Sequence, residues 1–148
     1  MSGPTATAPS PILALHARYE AAWAEYNRID DARTTLDTQN REDRIVDFRY
    51  EEAMAVSGAE ANALRVAILY QVPTTWQEAM ILQFHIWSVF EPENPGTANE
   101  QSAMATAIDT LFDFMCDEIE HEDVEGQFQT GEHLVSQRRR NRTGKLER

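Results

Sequence analysis

The segment from Trp76 to Phe90 constrains the fold most, because apolar side chains cover more than half of the helix that it predicts. At about 100° per residue they fill one broad arc, made of Trp76, Ala79, Met80, Leu82, Phe84, Ile86, Trp87, Val89 and Phe90. A narrow polar strip contains Gln77, Glu78, His85 and Ser88. Surface helices of small domains normally bury a narrower stripe. The segment is therefore either the central helix of the fold or half of an interface between subunits.

A first helix is predicted from Ser10 to about Ala32. Serine can cap a helix, and proline at position 11 is tolerated in the first helical turn. The apolar positions alternate in steps of three and four residues: Ile12, Leu15, Tyr19, Ala22, Tyr26 and Ile29. This near-heptad spacing favours antiparallel, coiled-coil-like packing in a bundle.

A second helix is predicted from near Arg41 to Tyr70, after a polar loop at residues 34–43. The positions that keep helical register are Ile45, Phe48, Ala55, Ala59, Val66 and Leu69. Glycine inside a helix costs roughly 1 kcal/mol relative to alanine. We therefore expect a kink or a break at Ser57-Gly58. Pro73 ends the helix, because the residue before a proline is pushed out of the α region.

Two capping boxes open the remaining helices. Thr75 is followed three positions later by Glu78, and Thr97 is followed by Glu100, the spacing at which both side chains satisfy backbone amides. The fourth helix runs to about His121. Its predicted core face is Met104, Ala107, Ile108, Leu111, Phe112, Met115 and Ile119.

The sequence predicts an all-α, four-helix bundle-like domain at residues 10–123, with a disordered leader at 1–9 and a flexible, partly helical basic tail at 124–148. The 148 residues, 42% of them hydrophobic, suffice for one domain with its own core. The single cysteine excludes an internal disulfide. Neither a secretory signal nor an apolar run of about 20 residues is present, which favours a soluble, cytoplasmic protein.

Charge is distributed unevenly along this acidic chain, whose net charge is −12. Residues 1–128 hold 23 acidic residues and seven arginines, whereas residues 129–148 hold two acidic and six basic residues. Four of the basic residues form an arginine-rich arm: Arg138, Arg139, Arg140 and Arg142. Such arms contact phosphates without sequence preference, so weak nucleic-acid binding is an alternative function. The acidic body opposes it.

An acidic stripe follows the outer face of the fourth helix and consists of Asp109, Asp113, Asp117 and Glu120. Like charges four residues apart repel by roughly 0.2–0.5 kcal/mol per pair. Three explanations stay open: a solvated face that tolerates the repulsion, docking of the arginine-rich tail on the stripe, and binding of a partner or cation.

Metal binding and catalysis find little support in the sequence. Glu118 and His121 have the Glu-x-x-His spacing of di-iron bundles, but the second such pair is missing. Burial and a neighbouring acid would both raise the pKa of the Cys116 thiol, which disfavours a nucleophile. His85 is expected at the surface or at the edge of an interface. A metal-binding bundle remains a second alternative function, whereas no cofactor and no enzymatic activity is predicted.

The segment Glu60–Ala79, opened upstream by Pro11–His16, resembles small helical proteins of proteobacterial chromosomes and prophages. Its distinctive feature is the turn Pro73-Thr74-Thr75 between an alanine-rich helix and an apolar one. The resemblance covers about residues 10–90. It implies a helical fold and carries no activity, cofactor or site with it.

These observations together favour a non-enzymatic helical module for protein–protein interaction or regulation. We expect a homo-oligomer or a complex with a protein partner, and no membrane association. The expected interface consists of Trp76, Met80, Phe84, Trp87 and Phe90, together with parts of the first helix.

Overall fold

The computed structural model describes residues 10–89 and 96–121, which form helices and no strand. The four helices of this part of the chain are α1 (Pro11–Arg33), α2 (Arg41–Leu69), α3 (Trp76–Val89) and α4 (Ala98–His121). The predicted all-α, four-helix fold is confirmed. The predicted leader and the basic tail lie outside the described residues. No described helix is both long and apolar enough to cross a membrane.

The predicted caps are present at the starts of α1 and α4. The Ser10 hydroxyl accepts a hydrogen bond from the Leu13 amide at 3.4 Å. Thr97 and Glu100 form a reciprocal capping box, in which each side chain accepts from the other residue's amide, at 3.3 and 2.7 Å. The starts of α1 and α4 are therefore fixed by local hydrogen bonds that the sequence already indicated.

Helices α1 and α2 form an antiparallel hairpin. In the first half of α1, the Tyr19 hydroxyl accepts from Arg65 at 3.0 Å. At the end of α1, Arg33 donates to both carboxylate oxygens of Asp47, at 2.7 and 3.3 Å, and to Glu51 at 3.1 Å. Since late residues of α1 contact early residues of α2, the two helices run in opposite directions.

The hydrophobic core lies at one end of this hairpin, where α3 and α4 pack against it. Its buried members are Ile12, Tyr19, Ala22, Ala61, Leu64, Ile68, Leu69, Leu82, Ala103 and Ala107. No member falls between residues 23 and 60. We call this part of the hairpin, α1 from residue 23 and α2 up to residue 60, the two-helix arm. Its own buried residues are few: Ile29, Met54 and Ser57.

The apolar face predicted for α1 is confirmed, since its six residues are buried or half-buried. The face predicted for α2 is wrong except at its end. Leu69 is buried and Val66 is half-buried, but Ile45 and Phe48 are exposed. The residues of α2 that face inward are instead Met54, Ser57, Ala61, Leu64, Ile68 and Leu69.

The predicted break in α2 is wrong, because the helix continues through Ser57 and Gly58 without interruption. Gly58 lies against the Tyr26 ring of α1: a Cβ atom there would be 3.6 Å from Cε2 of the tyrosine. That separation is an ordinary van der Waals distance, so the contact does not require glycine. The packing of α2 on α1 offsets the low helix propensity of glycine.

The face predicted for α4 is right only in part. Ala107 is buried, but Ile108 and Met115 are exposed. The other residues that α4 buries are Ala103, Phe114 and Cys116. The inward face is thus rotated from the predicted one, since it includes Phe114 and leaves out Ile108 and Met115.

Candidate interaction surface on the third helix

Helix α3 packs on the core with two residues of its predicted polar strip, Glu78 and His85, facing inward, whereas Gln77 is exposed and Ser88 is half-buried. Glu78 and His85 are 5% and 0% exposed, and they are buried together with Ala79 and Leu82. The prediction that His85 lies at the surface is therefore wrong. The first alternative for this segment, a central helix covered on several sides, is also wrong for the described chain, because part of the apolar arc faces solvent.

The burial of Glu78 is explained by the capping box at the start of α3. Its carboxylate accepts from the backbone amide and the hydroxyl of Thr74, at 2.6 and 2.9 Å, and its amide donates to the Thr75 hydroxyl at 3.2 Å. Burial acts to raise the pKa of the Glu78 carboxyl, but hydrogen bonds from Ser10, Thr74 and Thr75 outweigh it and lower the pKa. The buried carboxylate therefore stays ionised.

The burial of His85 depends on α1. Nε2 of His85 lies 3.0 Å from Nδ1 of His16, and the Tyr19 ring packs edge to face against the His85 ring at 4.6 Å. Desolvation lowers the pKa of His85 to about 4, and the nearby His16 and Arg65 add to the effect. His85 is therefore a neutral core residue near pH 7.

The solvent side of α3 is an apolar stripe of four residues. We name Trp76, Met80, Phe84 and Trp87 the α3 stripe; they are 49%, 69%, 51% and 69% exposed. Their spacing of four, four and three places them within about 80° of one another, along about 17 Å of helix. Phe90, the fifth residue of the predicted interface, lies outside the described residues. The structure thus brings four of the five predicted residues onto one open face.

Neighbouring helices support two members of the α3 stripe from the sides. The Trp76 ring packs edge to face on Phe114 of α4, with centroids 5.1 Å apart. The Phe84 ring lies 5.9 Å from His16 and 6.4 Å from Tyr19 of α1. Aromatic contacts of this geometry favour a fixed ring orientation. Trp76 and Phe84 are therefore held in place while half of each side chain remains open to solvent.

The open side of α3 carries no charge. The exposed residues between the members of the stripe are Gln77 and Gln83, and the two ionisable residues of the helix, Glu78 and His85, are both buried. Such a surface is apolar at its centre and neutral at its margin, as in the cores of protein–protein interfaces.

The predicted electrostatic residues fall into two groups. On α4, Asp109, Asp117 and Glu120 are exposed and Asp113 is half-buried, and each of the four makes interactions of its own. The tail arginines lie outside the described residues: Arg138, Arg139, Arg140 and Arg142. Docking of the tail on the acidic stripe therefore stays a prediction.

The structure places the chemically reactive residues in packing roles. Cys116 is buried with 7% of its surface exposed. Within residues 10–89 and 96–121, no three His, Cys, Asp or Glu side chains are arranged to hold a metal ion. His16 flanks the apolar positions of α1 in the sequence, yet nothing in the pattern indicated that it would meet His85.

Comparisons of the chain with protein-family models, with curated proteins and with solved structures gave no match.

Proposed function

We propose that this protein is a non-enzymatic helical interaction module that binds a second copy of itself through the α3 stripe. The observation that carries the proposal is a row of large apolar side chains, including two tryptophans, held open on an uncharged helix face. The largest exposed apolar patch on a typical monomeric protein is about 300–600 Å² and is often an interaction site. Tryptophan, phenylalanine and methionine are also the residues enriched in interfaces.

The charge of the α3 surface permits a second copy as the partner. The chain has a net charge of −12, so two copies repel each other across most of their surfaces. The exposed side of α3 is uncharged, and contact there brings no like charges of that helix together. Self-association through the α3 stripe therefore buries apolar surface at a low electrostatic cost.

The stripe suits a twofold, antiparallel arrangement. In such a contact the same surface serves both copies. Trp76 would pack near the partner's Trp87, and Met80 near the partner's Phe84. Each exposed aromatic side chain offers up to about 150–250 Å², so the half-exposed stripe presents on the order of 400–500 Å² per copy. Stable interfaces bury about 800 Å² per partner, and the flanking residues of α1 and α4 would supply the rest.

The test is the mass of the protein in solution, measured by sedimentation velocity from about 1 to about 200 µM, since mass action favours the dimer as concentration rises. We expect wild-type protein to shift from monomer to dimer over this range. Met80→Glu places a charge at the centre of the stripe and should leave a monomer. Val56→Glu is the matched control, because Val56 on α2 is also 69% exposed and lies outside the stripe.

Two results would contradict the proposal. One is a wild-type protein that stays monomeric across the whole range. The other is a dimer that persists in the Met80→Glu variant or is lost equally in the Val56→Glu variant. Far-UV circular dichroism should give the same helical spectrum for all three proteins, since both substituted side chains are largely exposed.

A further inference from the structure

A second open face lies on the two-helix arm, far along the sequence from the α3 stripe. A shallow cavity of about 500 Å³ is lined there by Arg41, Arg44, Ile45, Phe48, Arg49 and Glu52. All six residues belong to α2, and their spacing of three, one, three, one and three places them on one helix face. We call this surface the arm face. It is one side of α2, and no other described helix covers that side.

The arginines of the arm face differ from the others in the described part of the chain. The side chains of Arg41, Arg44 and Arg49 have no hydrogen-bond or ion-pair partner among the described residues, as the ion pairs there involve other arginines. Every other arginine there has a polar partner: Arg18, Arg28, Arg33 and Arg65. The residues that line the cavity include these three arginines and one carboxylate, that of Glu52, so the arm face has a positive balance on a chain whose net charge is −12.

Apolar side chains lie among these arginines. Ile45 and Phe48 are 51% and 60% exposed, which is high for residues of this size. The four-helix core ends before the arm, so no third helix of the described chain covers them. The face therefore combines two apolar side chains with three guanidinium groups and the carboxylate of Glu52.

We propose that the arm face binds an acidic amphipathic helix from a different protein. The apolar side chains of such a helix, for example leucines, would cover Ile45 and Phe48, as in helix-in-groove recognition. Its carboxylates would pair with Arg41, Arg44 and Arg49, since guanidinium and carboxylate groups form strong, geometrically specific pairs. The bound helix would supply the third layer that the arm lacks.

Two other occupants fit this face less well. A second copy cannot place its own arm face there, because arginines would meet arginines. The acidic residues of a second copy's α4 already make interactions of their own: Asp109, Asp113, Asp117 and Glu120. Phosphates of a nucleic acid would pair with the arginines but would not cover the exposed apolar side chains of Ile45 and Phe48.

The test uses the full-length protein and a labelled peptide of about four heptads, with leucine at the core positions and glutamate at the flanking ones. Fluorescence anisotropy should show binding that weakens as salt rises. Arg44→Glu should weaken it by roughly tenfold or more, as expected when an ion pair becomes a repulsion. Phe48→Ala should also weaken it, whereas a scrambled peptide of the same composition should bind poorly.

Arg18→Glu is the matched control, since it makes the same charge change on an exposed residue of α1 outside the arm face. Its affinity for the peptide should equal that of the wild type. The proposal is overturned if the wild-type protein does not bind the peptide, or if the scrambled peptide binds equally well. It is also overturned if Arg18→Glu and Arg44→Glu lose affinity to the same degree. If a random single-stranded RNA binds more tightly than the peptide, and its binding depends on Arg44, the arm face recognises nucleic acid and not an acidic helix.

Discussion

The Nδ1 atom of His16 lies 3.0 Å from the Nε2 atom of His85, although 69 residues separate them in the chain. On its other side, Nε2 of His16 lies 3.5 Å from a carboxylate oxygen of Glu20. A neutral imidazole has one N–H. If His16 directs that N–H toward Glu20, its Nδ1 accepts the proton of His85. This contact fixes the side of α3 that faces α1, and it leaves the α3 stripe outside.

The buried His85 should make the protein less stable in mild acid. Its pKa is lowered from 6.5 to about 4 in the folded state, so the unfolded chain binds a proton first as pH falls. The stability that depends on a neutral His85 is fully present above about pH 6.5 and declines toward pH 4. We expect the free energy of unfolding, from urea titrations at several pH values, to fall by up to about 2 kcal/mol between about pH 6.5 and 4.5.

The His85→Leu variant is the control for this pH dependence. Leucine retains an apolar side chain in the core and cannot titrate. Its free energy of unfolding should fall less steeply than that of the wild type between about pH 6.5 and 4.5. The two slopes should differ by about the amount that the uptake of one proton on unfolding produces. Equal slopes for the variant and the wild type would mean that other groups cause the acid sensitivity.

The capping carboxylate of Glu78 should stabilise the fold more than its counterpart Glu100. Both accept hydrogen bonds at a helix start, but Glu78 is buried and Glu100 is only partly so. We expect Glu78→Ala to lower the free energy of unfolding by about 2–3 kcal/mol, because Thr74 loses a charged acceptor in a buried place. Glu100→Ala should cost about 1 kcal/mol.

The pH dependence of the Glu78 contribution to stability has the same direction as that of His85 but lies at lower pH. The pKa of the Glu78 carboxyl is lowered in the folded state, so its stabilisation is present above the unfolded value near 4.5 and is lost only at lower pH.

Thermal melts of Glu78→Ala and Glu100→Ala at pH 7 compare the stabilising effects of the two carboxylates. Equal melting temperatures for the two variants would contradict the larger role of Glu78.

The two described glycines should respond to alanine in opposite directions. At Gly58 a Cβ atom would stand in ordinary contact, 3.6 Å from Tyr26, and alanine favours the helix by roughly 0.5–1 kcal/mol. At Gly96 the φ angle is +75°, and a Cβ atom would lie 2.8 Å from Oε2 of Glu100. Gly96→Ala should therefore lower the free energy of unfolding by about 1 kcal/mol or more.

Urea denaturation of both variants at pH 7 measures these effects. Each variant also serves as the control for the other, because the chemical change is the same. A loss of stability in Gly58→Ala would show that the Tyr26 ring cannot accommodate a methyl group. An unchanged stability in Gly96→Ala would show that the turn before α4 tolerates a different backbone angle.

The sequence alone determined where the helices begin and end. Ser10 and the pairs Thr75–Glu78 and Thr97–Glu100 act through hydrogen bonds within a few residues, so their effect is visible in the residue order. The inward face of α1 was also predictable, because both halves of that helix pack against a continuous neighbour, α2.

Only the tertiary structure decided which sides of α2 and α3 face inward. Periodicity treats Ile45 and Phe48 as core residues, but the arm lacks the third layer that would bury them. It likewise treats Glu78 and His85 as surface residues. The hydrogen bonds that Glu78 accepts from Thr74, and the contact of His85 with the distant His16, offset part of the cost of burying them. A partner 69 residues away leaves no trace in a local pattern, so only the folded chain shows that α3 turns its tryptophans outward.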